Sequence, residues 1–247
     1  MVEDGVVVFK HDAGVARWAA AAAELAVRTL ADPALRAAQM RHDDTWFVGV
    51  NALANAADGS VADVPLAGPW QPHVGPVAEW HPAQLSVVYP GFPGRDPQET
   101  DASFRYRTLR FAAHVDGLLA EGDARRRYLR EPHAFILGLP LSDTEQAPLV
   151  VWPGSHRVMG DAFRAAIADQ DPLQVDLTDA YHAARRRVFD TIAPCRIAAR
   201  PGQSVLLHRH LLHGVAPWPQ GAEGPPEGRM VAYFRPQFGA QDWLSAA

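Results

Sequence analysis

The stretch Gln84-Leu-Ser-Val-Val-Tyr89, stopped by Pro90-Gly-Phe-Pro-Gly94, sets the grain of the chain. A short β-branched run closed by a Gly/Pro cluster marks a strand followed by a turn. The same pattern recurs to either side, at residues 46–50, 134–139, 149–152, 195–199, 204–212 and 230–235. Residues 104–113 join the series, because Tyr106, Thr108, Arg110 and Ala112 alternate with their neighbours. Helical spacing appears first at 15–30, where Trp18, Ala22, Leu25, Thr29 and Leu30 share a face behind Asp12 as N-cap. Asp32-Pro33 stops that helix, and a short one follows to about residue 41. Two more helices are expected at 158–168 and 178–188, the latter capped by Thr178 and Asp179. Residues 55–70 read as a loop. Six to eight short strands behind an N-terminal helix predict a mainly β fold, a sandwich or barrel braced by helices. No repeat or linker divides the chain, so residues 1–247 are expected to form a single domain with a helical brace over about 1–45.

Composition narrows the function. The chain has 247 residues, a formal net charge of -5 and 21% charged residues, a balance suited to a soluble globular protein. An acidic chain argues against nucleic acid as partner, since phosphate neutralisation needs a basic surface. No apolar run reaches the ~20 residues of a membrane span. Met1-Val-Glu-Asp-Gly5 lacks the basic region of a signal peptide. The single cysteine, Cys195, excludes an internal disulfide or a thiolate metal cage and fits a reducing cytoplasm. Of the 23 basic residues only Lys10 is a lysine, an excess of arginine that reads as high-GC codon usage.

A metal site would therefore need His and carboxylate ligands. His114-Val-Asp116 places both types on one face of an extended segment, and a distant second His completes a 2-His-1-carboxylate facial triad. With 11 histidines in the chain, a chance His-x-Asp arises roughly once. His42-Asp43-Asp44 is such a decoy, at a helix–strand junction. Context favours His114: His213 stands at a strand end before Gly214, and Arg229 opens the last apolar strand.

Together, His114-Val-Asp116, Leu149-Val-Val-Trp-Pro-Gly-Ser-His156, the run from Gly202 to His213-Gly214, and Arg229 resemble the phytanoyl-CoA dioxygenase-like Fe(II)/2-oxoglutarate-dependent oxygenases. The resemblance spans about 84–238. It implies a double-stranded β-helix of the jelly-roll or cupin type. It also implies His114, Asp116 and His213 as ligands of Fe(II), and Arg229 as anchor of the distal carboxylate of 2-oxoglutarate. The expected reaction is hydroxylation of an aliphatic C–H of a small-molecule substrate by O2, with release of succinate and CO2. Asp116 is intact, which speaks for hydroxylation over halogenation. The chain departs from the family at Gln203, where Asp is usual, at Val215, where a polar residue is common, and in the insert from Pro219 to Pro226.

Arginine suits the anchoring role because its planar, permanently charged fork meets a carboxylate bidentately. Arg235 shares strand parity with Arg229 and is the alternative anchor. Arg110, on the triad side of the expected 104–113 strand, is a candidate for a substrate carboxylate or phosphonate. Tyr106 shares that face, and His133 is placed at the cavity mouth. His208 and His210 are expected to pack or reach solvent, and His156 to open a helix or support the metal from behind. The runs Arg125-Arg-Arg127 and Arg185-Arg-Arg187 read as solvated faces or salt-bridge partners. Residues 90–100 and 218–228 are expected lids. Two other functions stay open: a catalytically silent barrel binding a small ligand, and a cupin-type metalloenzyme that does not use 2-oxoglutarate.

Overall fold

The computed structural model describes residues 3–245; Met1 and Val2, at the start read above for a signal peptide, lie outside the described residues. Strands run in chain order as β1 (Val6–Phe9), β2 (Met40–Arg41), β3 (Trp46–Phe47), β4 (Gln84–Val88), β5 (Leu118–Glu121), β6 (Arg126–Leu129), β7 (Phe135–Pro140), β8 (Leu149–Val151), β9 (Cys195–Ile197), β10 (Ser204–His208), β11 (His213–Val215) and β12 (Arg229–Phe234). Helices α1 (Ala13–Leu30), α2 (Pro33–Gln39), α3 (Asp101–Leu109), α4 (Ser155–Ile167) and α5 (Thr178–Thr191) complete the set. A large antiparallel sheet has the order β1-β10-β7-β12-β4-β3-β2, a small one the order β11-β8-β9, and β5-β6 is a hairpin.

The two-residue period of the strands decides what each face meets. Leu85 and Val87 of β4, Leu137 and Leu139 of β7, and Met230 and Ala232 of β12 pack with Trp18, Ala22 and Ala26 of α1. Ile136, Val205 and Leu207 point the other way, onto Leu149 and Val151 of the small sheet. Val150 and Trp152 carry that sheet's far face against Met159 and Phe163 of α4 and Tyr181 and Val188 of α5. Helix, large sheet, small sheet and helices thus form successive layers, with one interface lying between the two sheets. Trp18, fully buried, satisfies its indole by donating to Gly59 O at 2.9 Å. No helix among the described residues is long and apolar enough to cross a membrane.

Asp12 caps α1 as expected, accepting from the backbone N–H of Gly14 and Val15. Three expectations need correction. Residues 101–109 are helix, not strand: Thr100 accepts from Ser103 N, Asp101 sits in the first turn, and Arg107 turns inward to pair with Glu99. The expected strand 204–212 breaks after His208, and the chain crosses from the large sheet to the small one before His213. Neither Thr178 nor Asp179 caps α5; Leu177 holds that position without a side-chain bond, and the Thr178 hydroxyl accepts instead from Arg127 N. Strands β1, β2, β5 and β6 were not foreseen, β2 taking the end of the expected 33–41 helix, and the N-terminal segment is more than a helical brace, since it supplies edge strands to the large sheet.

Candidate metal centre

The turn after α3 brings residues 111–114 alongside β11. His114 and His213 face each other as one hydrogen-bonded antiparallel rung, His114 N donating to His213 O at 2.8 Å and His213 N to His114 O at 3.0 Å. Side chains opposite one another on a rung project to the same side, and the two imidazoles lie with centroids 4.6 Å apart. Each ring is oriented by the same device. Nδ1 of His114 is 2.9 Å from Ala112 O, and Nδ1 of His213 is 2.9 Å from Leu211 O. An Nδ1–H donated to a carbonyl leaves Nε2 as the free lone pair.

Both Nε2 atoms face Asp116: Oδ1 is 3.1 Å from His114 Nε2 and 3.8 Å from His213 Nε2. One ligand atom from each of His114, Asp116 and His213 lies within 4.8 Å of the others, a spacing that could hold a metal ion. Oδ2 of the same carboxylate is paired at 2.6 Å with Arg235 Nε, and Arg235 in turn donates to Gln84 Oε1. Burial alone would raise the Asp116 carboxyl, but the Arg235 charge and the two histidines hold it well below the usual carboxylate range. Burial lowers His213 to about 4 against the pull of Asp116. Near neutral pH the set therefore offers a carboxylate at Asp116 and a neutral imidazole at His213. At His114 burial is outweighed by the bond to Asp116, which raises its pKa, so a metal bound there displaces a proton.

No protein-family model matches the chain, and no curated protein is similar to it in sequence. Among solved structures, SnoK, a non-heme alpha-ketoglutarate-dependent carbocyclase from nogalamycin biosynthesis, is 15% identical over 97% of this chain and 85% of its own, with a TM-score of 0.53. The chain shares the fold of SnoK. Iron-bound EctD from S. alaskensis (19% identity, 94% of this chain, 72% of EctD, TM-score 0.49) and AviO1 from Streptomyces viridochromogenes Tue57 (14%, 96% and 91%, 0.42) are also similar.

The triad opens onto a cavity of about 370 Å³ between the two sheets, walled by Trp46, Gln84 and Ser86 on one side and by Leu149, His213 and Val215 on the other. His133 lines it, with Nε2 3.3 Å from Glu131 Oε2. Tyr106 and Arg110 do not line it. Since 101–109 is helix, strand parity gives no guide to their direction. Tyr106 donates to Ala113 O at 2.5 Å, bracing the turn that leads to His114, and exposed Arg110 lies over the Phe189 ring. Arg127, expected in a solvated or salt-bridged run, lines the cavity instead. The β5–β6 hairpin turns it inward; the signal for that hairpin was the Gly122-Asp123 turn between two strand-like runs.

Of the two candidate anchoring arginines, Arg235 lines the cavity and Arg229 does not. Arg235 is committed to Asp116 and Gln84. Arg229 is 9% exposed and its Nη1 is buried with no hydrogen-bond partner among the described residues. Across the ladder it faces Val88, which packs with Phe92 and Trp218. The expected lids thus meet each other at this end, through Trp218 N donating to Phe92 O, and neither lines the cavity. Elsewhere, the Pro-Gly-Ser-His motif turns through Gly154 at φ 82° into α4, and Ser155 Oγ accepts from Leu212 N, fixing the residue before His213. His156 belongs to a buried cluster with His208 and His210, away from the triad.

Proposed function

We propose that the chain is an Fe(II)- and 2-oxoglutarate-dependent oxygenase that hydroxylates an aliphatic C–H of a small molecule. The observation that carries this reading is the convergence of His114 Nε2, Asp116 Oδ1 and His213 Nε2, with Nδ1 of each histidine 2.9 Å from a backbone carbonyl that orients the ring. Three protein ligands on one face suit a metal that keeps positions for a co-substrate and O2. Bound iron with 2-oxoglutarate and O2 supplies oxidative decarboxylation to succinate and CO2, coupled to hydroxylation. Arg229 is assigned to the distal carboxylate of 2-oxoglutarate, because a buried guanidinium with an unpartnered nitrogen calls for an anion that the chain itself does not provide. Arg235 keeps the Asp116 carboxylate ionised and oriented, and His133 lines the substrate's side of the cavity. The facing sheets are read as a double-stranded β-helix forming a single domain of the phytanoyl-CoA dioxygenase-like kind. A cytoplasmic setting is consistent with the lone, exposed Cys195.

Anaerobic addition of Fe(II) and 2-oxoglutarate should produce a visible metal-to-ligand charge-transfer band. Asp116→Ala should abolish it, and Arg229→Gln should require about tenfold or more 2-oxoglutarate to reach it. A folded wild-type protein that shows no band would overturn the reading.

A further inference from the structure

Charges along the cavity wall are matched, with one exception. Asp116 is paired with Arg235, and Glu131 lies 3.3 Å from His133 Nε2. Arg127 lines the same cavity, half-buried, and forms no ion pair among the described residues. The acids at the start of α5 do not reach it, because Asp176 and Asp179 pair with Arg126 at 3.5 and 4.0 Å.

Yet Arg127 is held firmly. Its backbone N donates to Thr178 Oγ1 at 2.8 Å, and its carbonyl accepts from Leu177 N at 2.8 Å. Its guanidinium lies over the Tyr181 ring at 5.0 Å and donates from Nη1 to Leu118 O at 3.2 Å, two residues beyond Asp116. An arginine fixed at backbone, ring face and one nitrogen, with the rest of its fork free, is pre-organised for an oxyanion.

We propose that Arg127 binds a carboxylate or phosphate group of the small-molecule substrate, and so selects anionic substrates for the metal centre. This rests on the oxygenase reading above, and it assigns a second anion, distinct from the one given to Arg229.

The probe is inorganic phosphate, with acetate as a second arm, added to protein loaded with Mn(II) and 2-oxoglutarate. Mn(II) shortens the nuclear relaxation of an anion held in its own cavity, so binding is read without turnover. Arg127→Gln should raise the apparent Kd of the bound anion about tenfold or more. Arg127→Lys should recover part of the loss, and Arg110→Gln, at the exposed end of α3, should leave binding unchanged. The arm with the lower Kd identifies the group. Equal relaxation in wild type and Arg127→Gln, or none in wild type, would overturn the proposal. Electron paramagnetic resonance of the bound Mn(II) separates the two levels: intact metal binding with no Arg127 effect removes only this inference, whereas absent metal binding removes the oxygenase reading and this one with it.

Discussion

At Asp116 two oxygens serve two partners, Oδ1 facing the histidines and Oδ2 the Arg235 guanidinium. Removing Arg235 leaves a buried carboxylate whose ionisation has lost its largest support. Arg235→Leu should therefore lower Mn(II) affinity by about 10–100-fold, the usual effect of losing an outer contact to a ligand, with the far-ultraviolet spectrum unchanged; a metal titration checks it. Which residues come together was legible in the sequence where local chemistry sufficed. His114, Asp116 and His213 needed only a two-residue spacing and a His-Gly strand end. Tyr106 and Arg110 were misplaced because their direction depended on a strand that is a helix. Arg127 was invisible because its direction depends on a hairpin register, which no run of three arginines reveals.

Helix α3 shows how an element can hide. Its alternating aromatic and arginine residues imitate a strand, and the decisive features lie at its start: the Thr100 cap and the inward pair of Arg107 with Glu99, both side chains 8% exposed. Arg107→Met should cost about 1–3 kcal/mol in denaturant unfolding, because Glu99 loses its charged partner and keeps only the Ser103 hydroxyl as donor. A second element-level constraint lies at β11. A Cβ on Gly214 would sit 2.1 Å from Phe111 O, against the segment that delivers His114. Gly214→Ala must push the two ligand-bearing segments apart, so metal affinity should fall more than thermal stability does, as parallel metal titration and melting of the variant would show.

Across the whole molecule, the strands nearest the centre were readable because buried β-branched runs bounded by Gly and Pro have few alternatives. The edges were not, since β1 is defined by a partner about two hundred residues away and β2 is a two-residue rung too short to carry a pattern. Global stability should respond to acid through the histidine cluster behind the small sheet. Burial holds His208 down to about 3, helped by Arg209, His156 and Arg164. A histidine lowered in the folded state contributes stability above its unfolded value near 6.5, and loses it as pH falls toward 3. His208→Asn, which keeps an acceptor for His210 N, should flatten the decline in melting temperature between about pH 6.5 and 4 relative to wild type. Metal should act in the opposite sense: at about a hundred times its Kd it adds about 2.7 kcal/mol, or roughly 5–10 °C in Tm, a gain that Asp116→Ala should erase in a melting assay. The rung between His114 and His213 bears on how that gain arises. It closes a loop of about a hundred residues through backbone hydrogen bonds alone, so the entropy of bringing those distant ligands together is met by folding. A metal ion would then arrive at a gate already shut, and its affinity would report the chemistry of three side chains with no share diverted to gathering the chain.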